Sequence, residues 1–221
     1  MPHLVIQHTD DGSATLFVPE LDEHYHSVKG AHTESLHIYR DCAYLHAAEH
    51  SAHRPLRLLE VGFGTGLNAA VTAMAATAER PVHYITLEKY PVEPRLIEGL
   101  GYEALVDAQL FAAIHAVPWE QPTAITPHFT LEKRCCDLLT APLPHDIDIV
   151  YFDAFAPEKQ PEMWSPEVFV RIYEAMRSGG VLTTYCAKGT IRRLLQATGF
   201  TVERLAGPVG GKREILRATK N

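Results

Sequence analysis

Cysteine is scarce in this chain: of 221 residues only Cys42, Cys135, Cys136 and Cys186 are cysteines, and none stands in a C-x-x-C pair. Adjacent Cys135 and Cys136 would point to opposite faces of a strand, so reduced thiols are expected rather than a disulfide framework. No stretch approaches the roughly 20 apolar residues that cross a bilayer. The amino terminus has neither the basic nor the apolar region of a signal peptide. These absences predict a cytoplasmic protein with no membrane contact. Internal repeats, low-complexity tracts and long linkers are also missing, and the length leaves no room for a second catalytic domain beside one α/β core. Positive charge is in deficit. The formal net charge is -7, the wrong sign for holding nucleic acid by bulk electrostatics. Histidine, by contrast, is plentiful at 13. His24 and His26 would share a strand face and His46 and His50 a helix face, but neither pair has a third ligand at a recognisable spacing, so no metal site is expected and most of these rings should be solvated.

What is present is a glycine loop. The apolar stretch Leu56 to Leu59 runs into Glu60-Val61-Gly62-Phe63-Gly64-Thr65-Gly66-Leu67-Asn68, which reads as strand, tight turn and helix start. Glycine at alternate positions lets backbone approach a ligand closely and adopt dihedrals closed to other residues. A dinucleotide loop reads G-x-G-x-x-G, but counting from Gly62 the third glycine position holds Leu67. The spacing instead resembles the S-adenosylmethionine (SAM) loop of Rossmann-like methyltransferases. The next apolar strand, Val82 to Leu87, ends at Glu88, placed to accept hydrogen bonds from ribose hydroxyls. An ordinary strand-to-helix turn is the plain alternative for the loop alone.

After residue 55 the pattern alternates as a doubly wound α/β fold requires. Strands are predicted near 56–61, 82–88, 128–135, 147–152, 180–185, 201–205 and 214–219, and helices at 67–79, 166–177 and 190–198. Gly179-Gly180 is read as ending one helix and Gly199 another. Residues 1–54 differ: two short strands flank Asp11-Gly12, a hairpin signal, and Glu34 to Ala48 follows with helical apolar spacing. The expected architecture is α/β and Rossmann-like, a seven-stranded, mostly parallel sheet with helices on both faces. The first 54 residues form a hairpin-plus-helix extension packed on a methyltransferase domain at 55–221.

A second chemical feature follows the strand Ile147 to Phe152, which leads into Asp153-Ala154-Phe155-Ala156-Pro157-Glu158-Lys159-Gln160-Pro161-Glu162-Met163-Trp164. An acid there lies at the carboxyl edge of the sheet, where open α/β proteins bind ligands, which makes Asp153 the catalytic candidate. Its alternative is a turn cap at a strand end. Phe155 and Trp164 could stack on a base, though a tryptophan just before Ser165-Pro166 could equally pack the next helix. From Arg171 onward ten Lys and Arg face only Glu174, Glu203 and Glu214. A solvated face with a basic tail accounts for that excess by charge alone.

Together the glycine run, Glu88-Lys89-Tyr90-Pro91, the Asp153 to Trp164 segment and Gly211-Lys212-Arg213-Glu214 resemble the methyltransferase domain of the bifunctional tRNA modification enzyme MnmC, from about Asp22 to the carboxyl end. The resemblance implies SAM as cofactor and methylation of 5-aminomethyl-(2-thio)uridine at the wobble position of tRNA. It implies a cofactor site made of Glu60, Gly62, Phe63, Gly64, Thr65, Gly66 and Asn68 in the loop, with Glu88 on the ribose, Lys89 beside it, Asp137 near the adenine and Glu34 facing the cofactor. For the anticodon region of tRNA, Phe155 and Trp164 are expected at the base, and Lys188, Lys212 and Arg213, which follow strand five or precede strand seven and so can reach the edge that holds Asp153, are expected as phosphate contacts. Gln160 and Ile215 stand where the family often has Asn and Met. The flavin-dependent oxidase of the bifunctional enzyme is not in this sequence, so a separate enzyme is expected to supply the free amine.

Methyl transfer to an amine moves positive charge from sulfur to nitrogen and needs alignment and a negative group. With an alkyl amine near 10.4 and Asp near 3.9, full proton transfer to Asp153 is uphill by roughly 6 units, about 9 kcal/mol. Asp153 is therefore expected to orient the neutral amine and stabilise the developing ammonium, the proton leaving to water. Two other readings fit the residues: a small-molecule amine methyltransferase or aminopropyltransferase of similar fold, and a non-catalytic nucleotide- or RNA-binding module.

Overall fold

The computed structural model describes residues 3–221. It opens with a three-stranded antiparallel sheet, β1 Val5–His8, β2 Ala14–Val18 and β3 Glu23–His24. The expected Asp11-Gly12 turn joins the first two. One Asp11 oxygen accepts from Thr9 Oγ1 at 2.7 Å and Ser13 N at 3.0 Å, the other from Thr33 N at 3.0 Å, so the turn is tied to the helix that follows. The two-residue β3 was not expected, being too short to show alternation.

That helix, α1, is a continuous run of Ala31–Glu34, Ser35–Leu45 and His46–His50, longer than the expected 34–48. Its middle eleven residues are π-wound. Bonds from i to i+5 bring residues five apart toward one face, and Glu34, Tyr39 and Tyr44 are all buried.

The main sheet contains β4 Leu56–Val61, β5 Val82–Leu87, β6 Thr123–Thr126, β7 Phe129–Arg134, β8 Ile147–Phe152, β9 Met176–Thr184, β10 Phe200–Ala206 and β11 Glu214–Lys220, in the order β10-β11-β9-β8-β4-β5-β7-β6. The five central strands are parallel, and β6, β10 and β11 pair antiparallel. Eight strands thus replace the expected seven. The addition is β6, an edge strand between Pro122 and Pro127 whose pairing slips at Ala124 and Thr126, and proline flanks hide such a strand from pattern reading. Alternate residues of the central strands feed two cores. Leu58, Tyr84 and Tyr151 join Leu16, Ile38 and Tyr39 of the front segment on one face, while Leu59, Ile85 and Phe152 meet Phe169, Ile172 and Leu195 on the other. The strands are apolar on both sides because both sides are covered.

Among the described residues five α-helices follow α1: α2 Leu67–Ala75, α3 Pro94–Glu98, α4 Ala108–Ala116, α5 Pro166–Ala175 and α6 Gly189–Thr198. Two expected boundaries are corrected. Helix α2 stops at Ala75, four residues before Glu79. Helix α5 stops at Ala175, and Gly179-Gly180 lies inside β9 rather than capping it. Partner register jumps from Ile147↔Met176 to Ile149↔Val181, and these glycines form the bulge. Gly199 does cap α6, at φ 115°. Among the described residues no helix is long and apolar enough to cross a membrane.

A methyl group on Gly180 would lie 2.9 Å from Arg177 O, 3.1 Å from Ile147 O and 3.2 Å from Asp148 O, all of them backbone. Gly180→Ala is therefore expected to lower stability by about 2–3 kcal/mol in urea unfolding, because no side chain can yield. An unchanged midpoint would show that the bulge opens freely.

Candidate active site

The carboxyl ends of β4, β5 and β8 converge. Gly62, Gly64 and Gly66 take φ 89°, 51° and 75°, dihedrals that a side chain strains. Gly62 N donates to Leu87 O at 2.9 Å, and a Cβ there would stand 3.1 Å from Asp153 O. The first glycine turn and the acid after β8 are thus in contact. Gly64 N donates to Glu88 Oε2 at 3.0 Å and Tyr90 N to Glu88 Oε1 at 2.8 Å. Burial raises the Glu88 carboxyl above its ordinary range, against these donors. A Cβ on Gly64 would meet the Tyr25 ring at 2.9 Å, so this glycine makes room for a protein side chain.

Asp153 is held from two sides. The Tyr39 hydroxyl donates to Oδ1 at 2.5 Å and Asn68 Nδ2 donates to Oδ2 at 2.8 Å. Burial, followed by the nearby Glu34 carboxyl, pushes its pKa up to about 7, while the two donors and Lys212 pull it down. It lines a cavity of about 250 Å³ together with Glu23, Tyr25, Glu34, Phe155, Tyr185 and Lys212. Glu34, 5% exposed, accepts from Ser27 N at 2.8 Å and is raised by burial. Lys212 sets its ammonium 3.5 Å from the Tyr185 ring centroid. Burial lowers its pKa against the pull of Glu34, an effect that solvent screens because the residue as a whole is exposed.

The remaining expected cofactor residues are engaged within the protein. Glu60 is fully buried beneath the loop, raised well above the carboxylate range by burial, with no partner in hydrogen-bond geometry for either oxygen among the described residues. It supports the loop from the end of β4. Thr65 Oγ1 shares a 2.8 Å hydrogen bond with His26 Nε2, a ring brought down to about 4 by burial. The Phe63 ring lies behind the loop against His115 and Trp119, with Lys133, lowered to about 8 by burial, 5.1 Å from the Trp119 ring centroid. Asn68 serves Asp153. Lys89 and Asp137 pair with each other at 2.8 Å near the end of β7.

On the acceptor side Phe155 lines the cavity, its ring edge-on to Tyr25 at 5.2 Å. Trp164 does not: it is 5% exposed, donates to Phe155 O at 2.8 Å and packs on Phe152 and Phe169, so it is core rather than stacking platform. Lys212 belongs to the cavity rather than an outer phosphate rim. Lys188 pairs with Glu158, while Arg213 is exposed. Much of the basic excess is engaged internally: Arg177 with Asp146 and Asp148, Arg204 with Glu214, Arg217 with Glu203, and Arg171 and Lys220 with backbone carbonyls. The histidine pairs do not form metal sites either. His24 packs on Phe17 while His26 turns to Thr65, and among the described residues no group of three or more His, Cys, Asp or Glu could hold a metal. Sequence reasoning missed Tyr39, Tyr25, Tyr185 and His26. For Tyr39 the only signal is its place five residues after Glu34, legible once the winding is known.

The residues suit a sulfonium nucleoside. Three acids, Glu34, Asp153 and Glu88, gather at one sheet edge. Glu88 accepts from the backbone at both oxygens, Gly64 N on one and Tyr90 N on the other.

The chain has the fold of a SAM-dependent methyltransferase. A family model described as S-adenosyl-L-methionine-dependent methyltransferase matches residues 113–221. Within the class the chain is similar to the MnmC proteins. It is 32% identical over 215 residues to the tRNA 5-methylaminomethyl-2-thiouridine biosynthesis bifunctional protein MnmC of Pseudomonas entomophila, covering 89% of this chain and 32% of the relative. The Magnetococcus marinus protein of the same name is 31% identical over 223 residues, covering 95% and 32%. The chain thus spans about a third of the length of the curated relatives it matches. The crystal structure of MNMC2 from Aquifex aeolicus superposes with a TM-score of 0.75 at 27% identity, covering 99% of this chain and 71% of that one. A spermidine synthase structure shares the fold at TM-score 0.58 and 13% identity.

Because the Asp153 carboxyl titrates at about 7 in the fold and near 3.9 when unfolded, the native state keeps a proton that the unfolded chain has released between those values. Stability from this group is therefore complete below about pH 4 and lost as pH rises through 7, by up to about 4 kcal/mol at full ionisation. Urea unfolding at pH 5.5 and 8.5 should show a larger loss in the unaltered protein than in Asp153→Asn; equal losses would place this titration elsewhere.

Proposed function

We propose that the protein is an N-methyltransferase converting 5-aminomethyl-(2-thio)uridine at the tRNA wobble position to its 5-methylaminomethyl form. The observation that carries this reading is Asp153: a buried, doubly held carboxylate lining a cavity and touching the first glycine turn. The 30–32% identity to proteins named for tRNA 5-methylaminomethyl-2-thiouridine biosynthesis supports the substrate. In this reading the Gly62 to Gly66 backbone holds the methionine part of SAM, Glu88 the ribose, and Asp137, tied to Lys89, flanks the adenine. The segment up to residue 54 supplies Glu34 and a cavity wall to the methyltransferase core from residue 55. When bound, SAM supplies an electrophilic methyl on a positively charged sulfur.

Asp153 then meets the amine. With its pKa near 7 against 10.4 for an alkyl amine, proton transfer is uphill by about 3 units, ~5 kcal/mol, half of what an ordinary aspartate demands. Burial thus makes Asp153 a usable proton acceptor as well as an orienting group, beyond the expectation from sequence. A carboxylate also raises the pKa of the amine, and the Lys212 ammonium in the same cavity opposes that rise. The target base has to leave the anticodon stack to reach the cavity. A prior reaction has to release the primary amine, and work on tRNA fits a cytoplasmic protein.

The cavity acids Glu23, Glu34 and Asp153 would also suit a small polyamine. Lys212 among them opposes a polycation, and likeness to spermidine synthases, at 12–13% identity, is one of fold alone.

Mass spectrometry of wobble uridine from a strain lacking this chain should show accumulated 5-aminomethyl nucleoside that purified protein plus SAM converts; no conversion would remove the substrate assignment. Asp153→Asn should keep SAM binding within a few-fold while turnover drops at least about 100-fold, as loss of a positioned acid–base group does. Arg213→Ala should weaken binding to all tRNA sequences and flatten the salt slope by about 1, whereas Lys188→Ala, already paired with Glu158, should change it less. Equal slopes for all three proteins would move the tRNA surface away from this rim.

A further inference from the structure

The hydroxyl on Asp153 comes from a residue in a fully buried position. Tyr39 is 0% exposed, its ring packs 5.1 Å from Tyr151, and its O–H ends 2.5 Å from Asp153 Oδ1. In an α-helix five residues advance about 500°, which would set Glu34 and Tyr39 about 140° apart. The π-winding of Ser35–Leu45 brings both to the same cavity edge. We propose that Tyr39 is a positioning residue for methyl transfer, acting through its hydroxyl to hold the Asp153 carboxylate in one orientation and favour its ionised form. The proposal rests on the reading of Asp153 as the group beside the amine.

Clamped by Tyr39 on one oxygen and Asn68 on the other, the carboxylate cannot turn without losing a donor. Its remaining lone pairs are what the amine can use. Tyr39 remains a donor throughout the working pH range, since burial and the neighbouring Asp153 and Glu34 raise its own pKa. The charged and titratable groups facing Asp153 are Glu34 from α1, Glu60 from β4, Tyr84 from β5, Tyr185 after β9 and Lys212 from the β10–β11 loop. Of these Lys212 favours ionisation and the acids oppose it, so the two neutral donors, Tyr39 and Asn68, weigh heavily on the balance.

Tyr39→Phe keeps the ring and removes the O–H. In ligand-free protein carrying 13C-carboxyl aspartate, with Asp153→Asn to assign the resonance, the Asp153 titration should move up by about 1–2 units. The acid limb of the kcat profile for tRNA methylation should move likewise, lowering kcat at pH 7 about 5–50-fold with KM for SAM unchanged. In an Asp153→Asn background the same change should add nothing. Incorporating 3,5-difluorotyrosine at position 39, a stronger donor of similar shape, should shift the titration downward. An unmoved titration in both variants, or equal losses in both backgrounds, overturns the proposal. Should the unaltered protein methylate no tRNA, the function assigned above fails while the carboxyl titration still decides the role of Tyr39.

Discussion

A carboxylate withdrawn from water and held by neutral donors is the constraint around which this molecule is arranged. Asp153 receives Tyr39 from the front segment and Asn68 from the helix after the glycine loop, so two distant stretches of chain meet on one side chain. Burial makes such a group costly to ionise, and hydrogen bonds to the charged form offset part of that cost. The result is an acid with a pKa of about 7, suited to exchanging a proton near neutrality.

Glycine serves the same end by geometry. At Gly62 the absent side chain lets the backbone of Asp153 close against the loop, and at Gly64 it admits the Tyr25 ring. The loop therefore joins parts of the protein as well as offering backbone to a ligand. Beneath it Glu60 is fully buried, and behind it Phe63 is fastened by Trp119, His115 and Lys133. A site needing placement within a fraction of an ångström gains from such support.

Charge is organised locally rather than globally. An overall charge of -7 coexists with a carboxyl-terminal quarter rich in cations, yet many of those cations are paired with acids or carbonyls of the same chain. What remains at the cavity is one lysine facing three acids, Glu23, Glu34 and Asp153. In that arrangement the acids raise the pKa of a bound amine, Lys212 opposes the rise, and a carboxylate remains to receive the proton.

The glycine spacing, the acids ending β5 and β8 and the run of buried strands were legible in the sequence because each depends on residues adjacent in the chain. Turn dihedrals, strand periodicity and the polarity switch at a strand end are local properties. The short edge strand β6, the bulge at Gly179-Gly180 and the burial of Trp164 were not, since pairing partners and packing neighbours decide them. Nor was the destination of Lys212, which charge pattern assigns to a rim and the fold turns toward Tyr185. Tyr39 is the extreme case. Its spacing from Glu34 means nothing until the winding is known, and only a helix wound from i to i+5 and a sheet strand ending 114 residues further along bring its hydroxyl to Asp153. Local chemistry named the acid, while tertiary structure set its pKa, because desolvation and hydrogen bonding depend on what surrounds a group in space.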